Sequence, residues 1–327
     1  MNIELLQIIR CPITKKKLIL KDEVFENTLV KSGLLLTEDE TYKYVIKDFI
    51  PRFVPEKNYA DNFGFQWNKF RNTQLDSYSN VSISHDRFWN STGWLKSDLK
   101  DKWILDCGCG AGRFAEIALE AGANVVALDY SSAVDACYLN LGNYSNLHVI
   151  QGDIYHLPFE HNSFDYVYSL GVLQHTPNVK DAFMAVSKQV KIGGFFCVDF
   201  YEKNFKSKLL PKFWLRPITK RIEKKKLFRF LEITTPFLFG FSETLNKIPF
   251  IGVYLKRLVP VANYSGILPL NERQLKEWAL LDTFDWLGPE YDNPQNKSTL
   301  LKWSNEANLD EIEILKVVHL VARGKNK

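Results

Sequence analysis

The stretch that most constrains this chain is an apolar strand running straight into three alternating glycines and then into an amphipathic helix, Trp103-Ile-Leu-Asp-Cys-Gly-Cys-Gly-Ala-Gly-Arg-Phe114. A strand-to-helix turn draws on glycine for two reasons: it opens φ values closed to other residues, and it lets backbone approach a ligand with no Cβ in the way. Gly108, Gly110 and Gly112 supply both. The dinucleotide spacing G-x-G-x-x-G would need its third glycine at position 113, where Arg113 stands. The turn therefore suits a nucleotide-like cofactor other than a dinucleotide.

From about residue 101 to 200 strand and helix patterns alternate with short connections, which is the signature of a parallel sheet. Lys102–Cys107 is the first strand and 112–121 a helix. Asn124–Asp129 is the second strand and 132–141 a helix, followed by the strand 147–152. Ser163–Leu170 comes next, then a helix over Val179–Val190 started by Thr176-Pro177, a Gly193-Gly194 turn and a fifth strand over Phe195–Tyr201. Asp129 leaves the end of the second strand, where a carboxylate can accept both hydroxyls of a ribose. The alternative is an acid at the helix N-terminus before Ser131. Asp153-Ile154 ends the third strand. Asp165 stands at a strand entrance and reads as structural. His175 is the histidine at this sheet edge beside the glycine turn, so it is the candidate general base near neutral pH, or else it orders its loop.

With Asp106 two residues before the first glycine, the turn resembles the Asp/Glu-x-Gly-x-Gly-x-Gly element of class I S-adenosylmethionine (SAM) dependent methyltransferases, with a core of the type 11 kind. The resemblance covers 101–200 and 297–327. It implies an α/β Rossmann-like fold with a seven-stranded, mostly parallel sheet, completed by a C-terminal antiparallel hairpin over 311–323. It implies SAM as cofactor, with Asp106, Gly108, Gly110 and Gly112 around the methionine end, Asp129 on the ribose, and Asp153 and Ile154 reading adenine. Leu170 and Gly171 would lie beside the methyl-transfer channel, with Gln174 and His175 facing the acceptor. Methyl transfer from a sulfonium is an in-line displacement with a good leaving group, so positioning and desolvation carry much of it.

Flanking segments fill in the plan. Residues 1–55 alternate short β-like runs with turns, and the opening Leu5-Leu-Gln-Ile-Ile-Arg-Cys-Pro-Ile-Thr14 resembles a zinc-ribbon-like (Trm112-like) module. Cys11 alone remains of the cysteines such a module uses for zinc, so no metal is expected. Residues 56–100 mix aromatics with amides; by resemblance they cover the cofactor, with Gln66, Trp67, Gln74 and Asp76 as pocket candidates. Residues 202–295 form a long helical lid insertion. Its end, Leu281-Asp-Thr-Phe-Asp-Trp-Leu-Gly-Pro-Glu-Tyr-Asp-Asn-Pro-Gln295, resembles an element of bacterial methyltransferases and offers Asp282, Asp285, Tyr291 and Gln295 to the substrate. Residues 296–327 end the core.

Charge is segregated. Between Lys203 and Tyr264 fourteen Lys/Arg face three Glu, giving +11, so the whole-chain charge of +4 leaves −7 elsewhere. Such a surface fits acidic lipid, an anionic substrate or RNA phosphates, or is a solvated lid face. The chain, 327 residues long and 46% hydrophobic, can bury a sizeable core. It has no apolar run near the roughly 18 residues of a membrane span and no signal-peptide pattern, so a cytoplasmic protein, peripheral at a membrane through 203–264, is expected. The five cysteines lack paired metal spacing and read as reduced thiols. The expected activity is methyl transfer to a small-molecule, sugar or lipid-linked acceptor. RNA methylation, against which the absent Asn/Asp-Pro-Pro-Tyr motif counts, and non-catalytic SAM binding are the alternatives. The oligomeric state is not readable from the sequence.

Overall fold

A computed structural model describes residues 1–55, 58–203 and 210–327. Lys206, Lys208 and Leu209, at the start of the basic insertion, lie outside the described residues. The strands are β1 (Ile19–Glu26), β2 (Leu29–Leu36), β3 (Lys43–Lys47), β4 (Ile50–Arg52), β5 (Trp103–Cys107), β6 (Asn124–Asp129), β7 (Leu147–Gln151), β8 (Phe164–Ser169), β9 (Val190–Phe200), β10 (Leu309–Lys316) and β11 (Leu320–Asn326). They form one mixed sheet of eleven strands in the order β1-β2-β3-β4-β7-β6-β5-β8-β9-β11-β10.

The expected seven strands are therefore present but extended. The four N-terminal strands continue the sheet instead of folding apart from it, because β4 lies parallel to β7 and covers its open edge. Arg52 pairs with Gln151 in register, its guanidinium donates to Gln151 Oε1 at 2.8 Å and to Asp135 Oδ1 at 2.6 Å, and Phe53 N donates to Gln151 O at 2.8 Å. Cys11 Sγ lies 3.2 Å from Tyr44 Oη. All five cysteines are buried free thiols.

The central strands are apolar on both faces, as a covered parallel sheet requires. Leu105, Val126, Leu128 and Val167 point into one core, where Phe183 and Phe196 also pack. Ile104, Val125, Ala127, Tyr166 and Tyr168 point into the other, against Phe88, Phe114 and Ile117. The order reverses at β5, which has β6 on one side and β8 on the other, and a crevice opens there at the strand C-termini.

Local details depart from the sequence reading. The helix after the glycine turn is short, Ala115–Glu120, since the first residues past Gly112 remain in turn geometry. Gly193 and Gly194 lie inside β9, where the register against β8 shifts, and do not separate it from a helix. The helix Val179–Ser187 is capped by the Asn178 side chain accepting from Asp181 N, two residues later than Thr176-Pro177 suggested.

The insertion is helical: Pro211–Thr219, Lys224–Asn246, a turn at Gly252–Leu255, and Glu272–Leu287, which opens on a capping box of Asn271 and Gln274. Leu227, Phe228 and Leu231 pack on Leu281, Phe284 and Leu287 and on Phe70, giving the insertion a small core anchored on the segment before β5.

Candidate active site

The ends of β5, β6 and β8 open into one cavity of about 480 Å³. Gly108 and Gly110 line it from the β5 turn, Asp129 and Tyr130 from β6, Ile154 from the turn after β7, and Leu170, Gly171 and His175 from the segment after β8. Tyr59, Phe63, Gln66, Trp67 and Gln74 close it from the preceding segment, and Lys212, Tyr264, Asp282 and Asp285 from the insertion.

Gly108 has φ +91, and a Cβ there would stand 2.4 Å from Val172 Cγ1. Gly110 has φ +53, with the Trp67 ring 3.2 Å from where its Cβ would be. Gly112 corrects the expected three-glycine cradle. It is off the wall, with φ +92 and a Cβ position 2.5 Å from Leu141, so it serves the packing of the helix 133–141.

Asp129 does two jobs at once. Oδ2 accepts from Gly110 N at 3.0 Å, while Oδ1 accepts from Ser131 N at 2.8 Å and Ser131 Oγ at 2.7 Å. It thus fixes the glycine turn to the end of β6 and starts the next helix, while still facing the cavity. Burial raises its pKa against the opposing pull of these donors.

Asp106 stands behind the turn, off the wall and 2% exposed. Its Oδ2 has no hydrogen-bond partner among the described residues; the Tyr168 hydroxyl leans toward it without completing a bond. Burial pushes its carboxyl up to about 8, the Tyr168 hydroxyl opposing and the Asp129 charge adding. Asp153 is also off the wall, because it caps the 3-10 turn Ile154–His156: Oδ1 accepts from Tyr155 N at 2.9 Å and Oδ2 lies 3.2 Å from His156 Nδ1. Of that pair only Ile154 lines the cavity.

His175 is 7% exposed, between Phe63 and Tyr201 at ring-centroid distances of 5.2 and 5.6 Å. Its Nδ1 lies 3.0 Å from Tyr291 O. A carbonyl only accepts, so this partner assigns the proton to Nδ1 and leaves the Nε2 lone pair free. Tyr291 thus contributes its carbonyl, which also accepts from Arg216 Nη2 at 2.6 Å, and its side chain is off the wall. The other absences have similar causes. Asp76 accepts from Ser84 N and His85 N at 2.9 and 2.7 Å and so holds the helix Ile83–Thr92. Gln295 donates its N–H to Tyr201 O at 2.9 Å and ties down the chain after β9. Gln174 is buried beneath the wall, with neither amide atom bonded among the described residues.

The acceptor side is denser in charge than the sequence suggested. Asp282 Oδ2 accepts from Tyr264 Oη at 2.6 Å, and Oδ1 lies 3.4 Å from Gln74 Nε2. Asp285 lies one helical turn on, 3.5 Å from Tyr201 Oη. Burial raises both carboxyls, that of Asp282 to about 7. Arg113, met in the sequence only as the residue that breaks the dinucleotide spacing, lines this wall. It donates to Gln74 Oε1 and to Ser84 Oγ, both at 2.7 Å, and burial brings its pKa down to about 9. Asp199, fully buried on β9, accepts from Gly171 N at 2.5 Å and Arg87 Nη2 at 2.7 Å, fixing the Leu170-Gly171 end of β8. Acids near the C-terminal ends of β5, β6 and β7 were the readable signal, and Asp199, near the end of β9, was passed over.

The residues fit SAM on two observations. The glycine turn leaves backbone bare where a Cβ would collide, and polar groups beside it are unpaired among the described residues, notably Asp106 Oδ2 behind the turn and both amide atoms of the fully buried wall residue Gln66. A ligand with an ammonium, a carboxylate and hydroxyls can supply such partners.

Residues 105–198 match the family model described as a methyltransferase domain. The chain is 30% identical over 176 residues to a sterol 24-C-methyltransferase of Saccharomyces cerevisiae, covering 50% of this chain and 43% of that protein. It is 25% identical over 177 residues to a ubiquinone biosynthesis O-methyltransferase of Hydrogenovibrio crunogenus, covering 48% and 73%. Among solved structures, a magnesium protoporphyrin IX methyltransferase from Synechocystis with bound S-adenosylhomocysteine aligns with a TM-score of 0.44 and 13% identity, over 82% of this chain and 97% of that one. The chain spans less than half the length of the sterol methyltransferases it matches. Over residues 105–198 this chain is thus similar to a methyltransferase domain, and SAM is the cofactor such a domain uses.

Proposed function

We propose that this protein transfers the methyl group of SAM to a small or lipid-linked acceptor held between the glycine turn and the insertion. The observation that carries the reading is a single cavity walled at one end by Gly108, Gly110 and Asp129 and at the other by His175, Asp282 and Asp285. When bound, SAM supplies an electrophilic methyl on a sulfonium. Asp129 and Ile154 hold and orient the cofactor, with Asp106 backing the glycine turn from behind, Gln66 and Trp67 cover it, and Tyr59, Phe63 and Trp286 exclude water. His175 Nε2 takes the proton of the acceptor as the new bond to carbon forms and the carbon–sulfur bond breaks, with the Tyr291 carbonyl holding the ring in the tautomer that allows it. Asp282 and Asp285 orient the acceptor.

Relatives named for sterol 24-C-methylation and for ubiquinone biosynthesis support an apolar, lipid-like acceptor. We propose further that residues 1–55 are a metal-free relative of the Trm112-like module, with Cys11 kept as a packing thiol, and that 202–295 is the lid. The test is formation of S-adenosylhomocysteine with a panel of lipid-like acceptors, alongside calorimetry of Asp129→Ala. We expect SAM affinity to fall about 30-fold or more, in line with the loss of two or three charge-assisted hydrogen bonds. Unchanged affinity would sink the cofactor assignment.

A further inference from the structure

The helix Lys224–Asn246 turns two unlike faces to its surroundings. Leu227, Phe228 and Leu231 are buried against the helix that carries Asp282 and Asp285. On the opposite face Phe230, Ile233, Phe237 and Phe241 are 61, 68, 77 and 56% exposed. At the helical period these four fall within an arc of about 80°. The chain then folds back on the helix end, where Val259 shares a buried cluster with Phe239 and Leu245, and presents Phe250, 98% exposed with φ +64, at the tip. Single exposed apolar residues are ordinary, but a continuous stripe of this kind marks a surface made to be covered.

The charges around the stripe say what covers it. Lys225, Lys226 and Arg229 stand at its N-terminal end, and Lys247, Lys256 and Arg257 follow its C-terminal end. Cations bracketing an aromatic and aliphatic stripe match the two layers of a bilayer surface, anionic headgroups outside and acyl chains beneath. RNA would engage the cations and leave the aliphatic stripe in water. Among the described residues no helix is long and apolar enough to cross a membrane, so the fitting geometry lies in the plane of the interface.

We propose that the face formed by Phe230, Ile233, Phe237, Phe241 and Phe250 docks this protein on an anionic lipid bilayer. The docked helix is the outer layer of the lid, and its buried side packs on the helix that lines the cavity. Docking thereby sets the cavity close to the source of a lipid-like acceptor. Its test needs no turnover and so fails or succeeds apart from the methyl-transfer reading.

The full chain is sedimented with vesicles of phosphatidylcholine alone and of phosphatidylcholine with about 30% phosphatidylglycerol, at low and high salt. We expect binding to the anionic vesicles that weakens with salt. It should fall about tenfold or more in Phe237→Asp/Phe241→Asp and in Lys256→Glu/Arg257→Glu, with calorimetric SAM affinity unchanged in both as the check on folding. The proposal is overturned if anionic vesicles are not bound, or if Phe237→Asp/Phe241→Asp binds them like the parent. It is also overturned if the stripe mediates a dimer that this variant dissociates, or if single-stranded RNA is bound in preference to vesicles.

Discussion

Asp106→Asn isolates the electrostatic tension behind the glycine turn. The carboxyl is fully enclosed, has an unpaired oxygen, and titrates in the fold at about 8 against 3.8 in an unperturbed chain. A carboxyl raised in this way keeps its proton in the folded chain where the unfolded chain has already released it. The stability it contributes is present at low pH and is lost as pH rises from 3.8 toward about 8. Between pH 6.5 and 8 the loss is about 2 kcal/mol, at about 1.4 kcal/mol per pH unit. Asparagine has nearly the same shape and does not ionise, so the variant escapes this loss. His148 and His319, which burial holds down to about 4, titrate below that window, and the Met1 ammonium, held down to about 5, is common to both proteins. Denaturant unfolding at several pH values measures the difference between variant and parent, in which shared groups cancel. Relative to the parent, the variant should gain about 2 kcal/mol over that interval and plateau above it. Parallel stability curves would refute the reasoning, since they would mean that Asp106 is already ionised at neutral pH.

Other residues give separate tests. Gly108→Ala must place a Cβ 2.4 Å from Val172 at φ +91, and should cost about 2–5 kcal/mol in denaturant unfolding. Gly193→Ala, with φ +76 but nothing within 4 Å, should cost only about 1 kcal/mol; equal costs would deny the close approach. His175→Gln should lower kcat by about 10²–10⁴-fold and leave SAM affinity intact, and undiminished turnover would remove its role as base. Tyr264→Phe takes the 2.6 Å donor from Asp282, so that carboxyl, already raised to about 7, should rise by about one further unit. The pH profile of turnover should shift upward with it, and an unmoved profile would separate Asp282 from the reaction.

The cofactor half of this protein is written in contiguous residues. Strand, glycine turn and helix follow one another in the chain, and Asp129 comes at the end of the very next strand, so apolar period and turn chemistry suffice to find them. Asp106 and Asp153 show the limit of that logic. Each stands at the right place in the sequence, yet Asp106 is enclosed behind the turn by what packs around it, and Asp153 bends inward to cap its own loop because the Tyr155 amide is the donor the backbone brings to it. The sheet's width was likewise hidden: whether residues 1–55 stand apart or add four strands is decided by one short parallel pairing, Arg52 on Gln151, between segments far apart in sequence.

The acceptor half exists only in three dimensions. Gln74 meets Asp282 across 208 residues and Arg87 meets Asp199 across 112, and no local period announces either contact. Arg113 changes from a spacing anomaly into a buried wall residue only when Gln74 and Ser84 fold over it. The sequence carried the +11 charge of residues 203–264, but not that Phe237 and Phe241 share the outer face of their helix while Phe228 and Leu231 share the inner one. The sequence by itself determined the parallel core and the cofactor turn, because those depend on neighbours along the chain. The tertiary structure decided which polar groups reach the cavity and which apolar ones stay outside, because both depend on what packs against them.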